Sequence, residues 1–309
     1  MCSSPSFVVP NSLEGVRVDR CLSMLLGLPR AAVTRLVVDG AVFLDGLAVD
    51  KPSTKVEAGQ TLSAELPDDV SSVPEGEFRS TKVDFVYFDE DIAVINKRVG
   101  QIVHPGSNNS SGTMAQSLLS TFPRIEGVGI PGRFGVVHRL DKGTSGLMLF
   151  GLSIRGFEML SKMIREHEVQ RTYLALVSGR VEFDEGIIDA PIARSVREPL
   201  KMAVSRSGRS AVTHYKVERR FDEPIALTLL RLNLQTGRTH QIRVHLSAVG
   251  HPVIGDSSYK GKAMGNLNRP FLHSCRLEFH HPVTGVSMKF EASLPRDLEL
   301  ILAGIDDPV

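Results

Sequence analysis

Between Pro67 and Lys82 the chain reads Pro-Asp-Asp-Val-Ser-Ser-Val-Pro-Glu-Gly-Glu-Phe-Arg-Ser-Thr-Lys, a polar run broken by proline and glycine. It reads as an interdomain linker, and the chain on either side of it must then bury two separate cores. With 309 residues, 42% of them apolar and 23% charged, the sequence is long and apolar enough for both. The expected division is a first domain over 12–67, a linker over 68–82 and a larger domain over 83–309.

In the first domain Val18, Leu22, Leu25 and Leu26 recur at helical spacing. Val33, Leu36 and Val37 do so again after Pro29, which suits the first turn of a second helix ended by Gly40. Val42-Phe43-Leu44, the Asp45-Gly46 turn and Leu47-Ala48-Val49 predict a β-hairpin, and Val56 to Leu66 a further strand.

Past the linker, strand and helix patterns alternate. Val83 to Phe88 and Ile92 to Asn96 predict paired strands, and Met114 to Ser120 a helix. Phe134 to Leu140 and Leu147 to Phe150 predict strands around a turn carrying Gly143 and Gly146, with Asp141 at their corner. A helix from Ile154 to Glu166 follows, capped by Ser153, with Phe157, Leu160, Met163 and Ile164 inward. Thr172 to Val177, Ser210 to Arg219 and Ala226 to Leu234 predict further strands. In the stretch Thr236 to Gly250, Thr239 can cap a helix with Ile242, His245, Leu246 and Val249 on its inner face, stopped by Gly250 and Pro252.

Apolar runs such as Leu147 to Leu152 are far shorter than a membrane span, and the N-terminus lacks the basic start and apolar core of a signal peptide. A cytoplasmic location is expected. Cys2, Cys21 and Cys275 form no Cys-x-x-Cys pair, and His240 and His245 lack a third ligand at a recognisable spacing, so no disulfide framework and no metal are expected. The net charge of +1 hides a local excess: Arg194 to Arg243 holds eleven basic residues against four acidic ones. Such a stretch serves either as a solvated face or as a surface for phosphates.

The phrase His138-Arg139-Leu140-Asp141-Lys142-Gly143-Thr144-Ser145-Gly146 puts one carboxylate in a short loop held by apolar runs. An aspartate before such a turn either hydrogen-bonds its own backbone or is presented for chemistry. Val-His-Arg-Leu-Asp-Lys-x-Thr-Ser-Gly closely resembles the signature of the RluA family of pseudouridine synthases. Four more phrases resemble that family in the same order: Ile95 to Gly106, Arg171 to Val177, Thr236 to His245, and Leu272-His273 through His281 to Gly285. The first departs by carrying Arg98 where the family has proline. The first domain, through Arg17-Val18-Asp19-Arg20, Pro29-Arg30 and Asp39-Gly40-Ala41-Val42, looks like an S4-like RNA-binding domain, with Pro29 where such domains commonly carry serine.

The resemblance implies an α+β fold: a pseudouridine-synthase catalytic domain with a mixed, mainly antiparallel sheet flanked by helices, preceded by a small S4-like α/β domain. It implies Asp141 as the catalytic carboxylate, Arg243 as the arginine that pairs with it, and Tyr173 as the ring that packs on the target base. Arg139 matches the arginine that fills the space left by the extruded uridine, and Arg17, Arg20, Arg30 and Arg35 occupy the region that offers basic side chains to RNA. No cofactor is implied, no membrane and no obligate protein partner. The expected partner is ribosomal or transfer RNA, with large-subunit ribosomal RNA the expected substrate. Whether Asp141 attacks the ribose or removes a proton from it is left open by the sequence. Two other readings are a non-catalytic RNA-binding or assembly factor, disfavoured by the presence of Asp141, Tyr173 and Arg243, and a glycosidase, which would usually need a second carboxylate absent from the five phrases.

Overall fold

The computed structural model describes residues 5–10, 13–26, 30–66, 83–105, 112–130, 132–223 and 225–306; the expected linker, 68–82, lies outside them. The chain falls into two compact units: Met1–Val83 with Ile102–Val136 and Gly151–Phe157, and Asp84–Gln101 with Val137–Phe150 and Glu158–Val309.

The first unit contains β1 (Ser6–Val8), α1 (Val18–Leu26), α2 (Arg30–Val38), β2 (Val42–Leu44), β3 (Leu47–Ala48) and β4 (Thr61–Ala64). The strands form an antiparallel sheet in the order β1-β4-β2-β3. Val18, Cys21 and Leu22 from the first helix and Val33, Leu36 and Val37 from the second bury against Val42 and Leu62, so the helical periodicity read from sequence is the core-facing stripe. Two features were not foreseen. β1 pairs with β4 from before the expected domain start, and the strand expected from Val56 is confined to Thr61–Ala64. The reason for the second is a turn, in which the Glu57 amide donates to the Gln60 side chain at 2.7 Å and the Gln60 amide returns to the Glu57 carbonyl at 3.3 Å. The later segments of this unit add α3 (Met114–Thr121), started by a capping box between Thr113 and Gln116, and Ile130, which packs on the same core.

The second unit is built on a nine-stranded sheet. Its strands are β5 (Phe85–Phe88), β6 (Ile92–Lys97), β7 (Ser145–Gly151), β8 (Gln170–Ser178), β9 (Glu185–Asp189), β12 (Val212–Phe221), β13 (Leu227–Leu234), β14 (Leu272–His280) and β15 (Ser287–Glu291). The order is β5-β6-β7-β14-β8-β13-β12-β9, with β15 also paired to β14. β7 and β14 run parallel, and β8, β12, β13, β14 and β15 join through antiparallel ladders, so the sheet is mixed and mainly antiparallel. A separate hairpin is formed by β10 (Ile192–Arg194) and β11 (Met202–Val204). The helices are α4 (Ile154–Arg165), whose first turn groups with the first unit, α5 (Gln241–Ala248) and α6 (Arg296–Asp306). Ser153 caps α4 as expected, its Oγ accepting the Gly156 amide at 3.0 Å. Leu160 and Met163 then pack on Ile92, Val94, Leu147, Leu149 and Leu277 of the sheet.

Three expectations around the key phrase are corrected. Phe134 to Leu140 is not a strand: successive turns close through Arg133 N to Ile130 O at 2.8 Å and Val136 N to Arg133 O at 2.9 Å. Val137 still buries against the sheet core, which accounts for the apolar run without a ladder. Asp141 therefore stands in a turn leading into β7, closed by the Thr144 amide on the Asp141 carbonyl at 3.0 Å, rather than at a corner between two strands.

Gly146 is inside β7 and not in that turn. It has φ 112, and a Cβ there would lie 2.2 Å from the Ser274 carbonyl oxygen of the parallel neighbour β14. The strand that carries the Asp141 turn can thus approach β14 only with glycine here. Gly146→Ala is expected to destabilise the protein by on the order of 4 kcal/mol, since both the backbone and the ladder must shift. An unchanged denaturation midpoint would refute this role.

Candidate active site

The chemistry-bearing side chains of the second unit meet at an open cleft, whose lining includes Arg139, Asp141, Tyr173, Arg238, His240 and Arg243. Three elements supply them. The turn before β7 brings Asp141, the middle of β8 brings Tyr173, and the start of α5 brings His240 and Arg243.

Arg243 Nη1 donates to Asp141 Oδ2 at 3.0 Å. The rest of the guanidinium grips Asp256 with two hydrogen bonds, Nε to Oδ2 at 2.6 Å and Nη2 to Oδ1 at 2.9 Å. Its plane also lies over the Tyr259 ring, 4.9 Å from the centroid. Burial opposes the charge of Arg243, but its hydrogen bonds to Asp256 and the field of Asp141 outweigh it and hold the guanidinium above its usual range. The side chain of Asp256 is 1% exposed and that of Asp141 17%, so one carboxylate is spent on the arginine and the other faces the cleft. Sequence reasoning found Asp141 and Arg243 and missed Asp256 and Tyr259.

The start of α5 differs from expectation. His240, with φ 56 and ψ 19, is the residue before the first turn, and no side chain caps it, so Thr239 is not the cap. Gln241 ties this end instead: its Oε1 accepts from Arg238 N at 2.9 Å and Thr236 Oγ1 at 2.7 Å, and its Nε2 donates to Val212 O and Thr213 Oγ1, both at 3.0 Å. Ile242, His245 and Leu246 are buried as expected, whereas Val249 is 49% exposed because it already belongs to the helix end.

Tyr173 is 3% exposed and paired in register between Leu232 of β13 and Ser274 of β14. Burial pushes its phenol up. Two residues earlier on the same face of β8, Arg171 is 4% exposed, and its Nε is enclosed with no acceptor among the described residues. Arg139 stands exposed at the rim of the cleft. In the first unit Arg17, Arg20 and Arg35 are exposed, Arg17 in an ion pair with Asp19 at 3.0 Å, while the side chain of Arg30 lies outside the described residues.

Several motif residues serve the fold around the site. Lys97 is fully buried, its Nζ donating to the carbonyls of Arg98 and Gln101 at 3.1 Å each, and it shapes the loop whose Gly100 amide bonds the carbonyl of Lys142 beside Asp141. His281 donates to Asp89 at 2.8 Å and accepts the amides of Val283 and Thr284, pinning the turn after β14 to the turn after β5.

Half-buried His138 and buried His273 set the acid limit of the fold. Burial, reinforced by the Arg171 charge, pushes His138 down to about 3, and its Nε2 accepts the Leu149 amide at 2.9 Å. Burial pushes His273, hydrogen-bonded to Ser145 Oγ at 2.9 Å, down to about 4. In the unfolded chain both titrate near ~6.5, so below that pH the unfolded state binds more protons and is favoured. Stability should fall as pH drops from 6.5 toward 4, by up to about 1.4 kcal/mol per pH unit for each imidazole. Denaturant unfolding at pH 7 and pH 5 checks this, and equal midpoints would contradict it.

Residues 91–248 match the RNA pseudouridylate synthase family and residues 16–62 the S4 domain. The chain belongs to the RNA pseudouridylate synthase family. It is 39% identical over 306 residues to the ribosomal large subunit pseudouridine synthase D of Vibrio vulnificus (strain CMCP6), covering 94% of this chain and 91% of that one. It is 38% identical over 277 residues to the uncharacterized RNA pseudouridine synthase YlyB of Bacillus subtilis (strain 168), covering 88% of each. Among solved structures, human RNA pseudouridylate synthase domain containing 1 superposes with a TM-score of 0.55 at 27% identity, covering 70% of this chain and 85% of that one. The chain is thus an RNA pseudouridine synthase, an isomerase, with an N-terminal S4 domain.

Proposed function

We propose that this synthase isomerises specific uridines of large-subunit ribosomal RNA in the cytoplasm, with Asp141 as the acting carboxylate. The observation that carries the site assignment is the Asp141–Arg243 pair at 3.0 Å, with Asp141 turned to the cleft and Arg243 locked from behind by Asp256. The substrate assignment is supported by the similarity to the Vibrio vulnificus relative, a ribosomal large subunit pseudouridine synthase.

The reaction breaks the bond from ribose C1′ to uracil N1, turns the base and joins C1′ to C5. The C5 proton leaves to solvent and N1 regains one, so nothing is oxidised, reduced or lost. A carboxylate at the sugar can attack C1′ or take a ribose proton, and the arginine fixes its geometry without ever surrendering its own charge. Tyr173 offers a flat face against the detached base. Arg139, at the rim, takes the space the uridine leaves when it unstacks, which otherwise costs a few kcal/mol. Arg17, Arg20, Arg30 and Arg35 are assigned to RNA binding by the S4 domain over 12–67, with 68–82 as the linker to a catalytic domain over 83–309.

Comparing pseudouridine maps of large-subunit RNA from cells with and without the protein tests the substrate; sites lost from transfer RNA alone would overturn it. Arg139→Ala should slow turnover on folded RNA roughly tenfold more than on an unstructured oligonucleotide, whereas equal losses on both would remove the role given to it.

A further inference from the structure

The second oxygen of Asp141 has a neighbour that the reaction outlined above leaves unused. Arg243 holds Oδ2, and His240 Nε2 lies 3.9 Å from Oδ1. That gap is too wide for a direct hydrogen bond. It suits one oxygen atom placed about 2.8 Å from each, accepting from the imidazole and donating to the carboxylate.

The direction of the donors is fixed from behind. His240 Nδ1 is 2.8 Å from Tyr259 Oη, and that oxygen accepts the Met202 amide at 2.9 Å. Tyr259 is 7% exposed, so its hydroxyl proton needs an acceptor, and Nδ1 is the one it faces. Nδ1 is then bare and Nε2 carries the hydrogen toward the cleft. Burial keeps this imidazole neutral by holding it below its usual value, against the raising field of Asp141. Its left-handed backbone, φ 56 in a residue other than glycine, is the kind of strain a functional position retains.

We infer that His240 Nε2–H and Asp141 Oδ1 form a slot for the ribose 2′-hydroxyl of the target uridine. Within an RNA strand the 3′ and 5′ oxygens are esterified, so the 2′-hydroxyl is the one sugar group able to donate and accept at once. It is bonded to the carbon next to C1′, where the carboxylate must act. His240 is thereby a substrate-contacting residue that selects ribose over deoxyribose, and Tyr259 is the positioning residue that sets its tautomer.

The inference rests on Asp141 facing the sugar, and its test separates the two. The substrate is a short RNA containing the mapped uridine, synthesised with ribose or with 2′-deoxyribose at that one position, and the full chain is assayed under single-turnover conditions. Wild type should lose roughly ten- to a hundredfold in rate on the deoxy substrate. His240→Asn, which tolerates the left-handed backbone but cannot reach with a distal donor, should lose a similar factor on ribose and little more on deoxyribose. Tyr259→Phe, which keeps the ring over Arg243, should lose part of the same preference. Losses from His240→Asn and from deoxyribose that simply multiply, or indifference of the wild type to the 2′-hydroxyl, would overturn the slot. If Asp141→Asn still modified the ribose substrate at the wild-type rate, the reading beneath it would fail instead.

Discussion

Asp256→Ala is expected to cost roughly 3–5 kcal/mol of stability and to slow isomerisation by at least about a hundredfold. Arg243 sits almost wholly inside the protein, with a side chain 10% exposed, and two of its three hydrogen bonds to carboxylates end on Asp256. Removing that carboxylate leaves a buried guanidinium with only Asp141 to answer it. The arginine must then either swing onto Asp141, drawing it away from the cleft, or remain partly unpaired. Asp256→Asn keeps one acceptor oxygen and should recover much of the stability while still losing rate. Denaturation midpoints and single-turnover rates measured together check both parts, and an alanine variant as stable and as fast as wild type would contradict them.

Asp141→Asn should behave differently. Arg243 keeps its paired grip on Asp256 in this variant, so the buried charge stays compensated and the fold should change by no more than about 1 kcal/mol. The reaction, by contrast, should lose the group proposed to act on the sugar, and a fall of at least about 10,000-fold is expected. On this account the two aspartates on one arginine should separate stability from chemistry, the inner one supporting both and the outer one chemistry alone.

The architecture was legible in the sequence wherever a periodic apolar pattern met a clear stop. α1, α2, α4 and most strands of the second sheet appear within a few residues of their expected bounds. The failures have local causes. Val136 and Val137 read as strand because apolar content alone does not distinguish a ladder from a packed turn. Gly146 read as a turn residue because a glycine demanded by a neighbouring backbone looks the same in sequence as one demanded by a bend. Thr239 caps nothing because the helix starts after His240 with no side-chain cap, and Gln241 ties that end by reaching backward into the loop.

The candidate site was half legible. Asp141, Tyr173, Arg243 and Arg139 were visible as members of motifs, and all four line one cleft. Asp256 was not, since Ile254 to Tyr259 carries no periodicity and lies between the phrases that stood out. One signal could have found it. Arg243 falls between Ile242 and Leu246 on an inward helix face, and a cation placed there calls for a buried counter-charge beyond a carboxylate that must stay open to substrate.

The central claim is that Asp141, held by Arg243, acts on the sugar of an extruded uridine. Its most direct measurement is the release of tritium from uridine C5 in RNA during a single turnover, with RNA binding measured on the same preparations of wild type and Asp141→Asn. Release at background with binding retained is the expected result. Release from Asp141→Asn at the wild-type rate would show that another group performs the reaction.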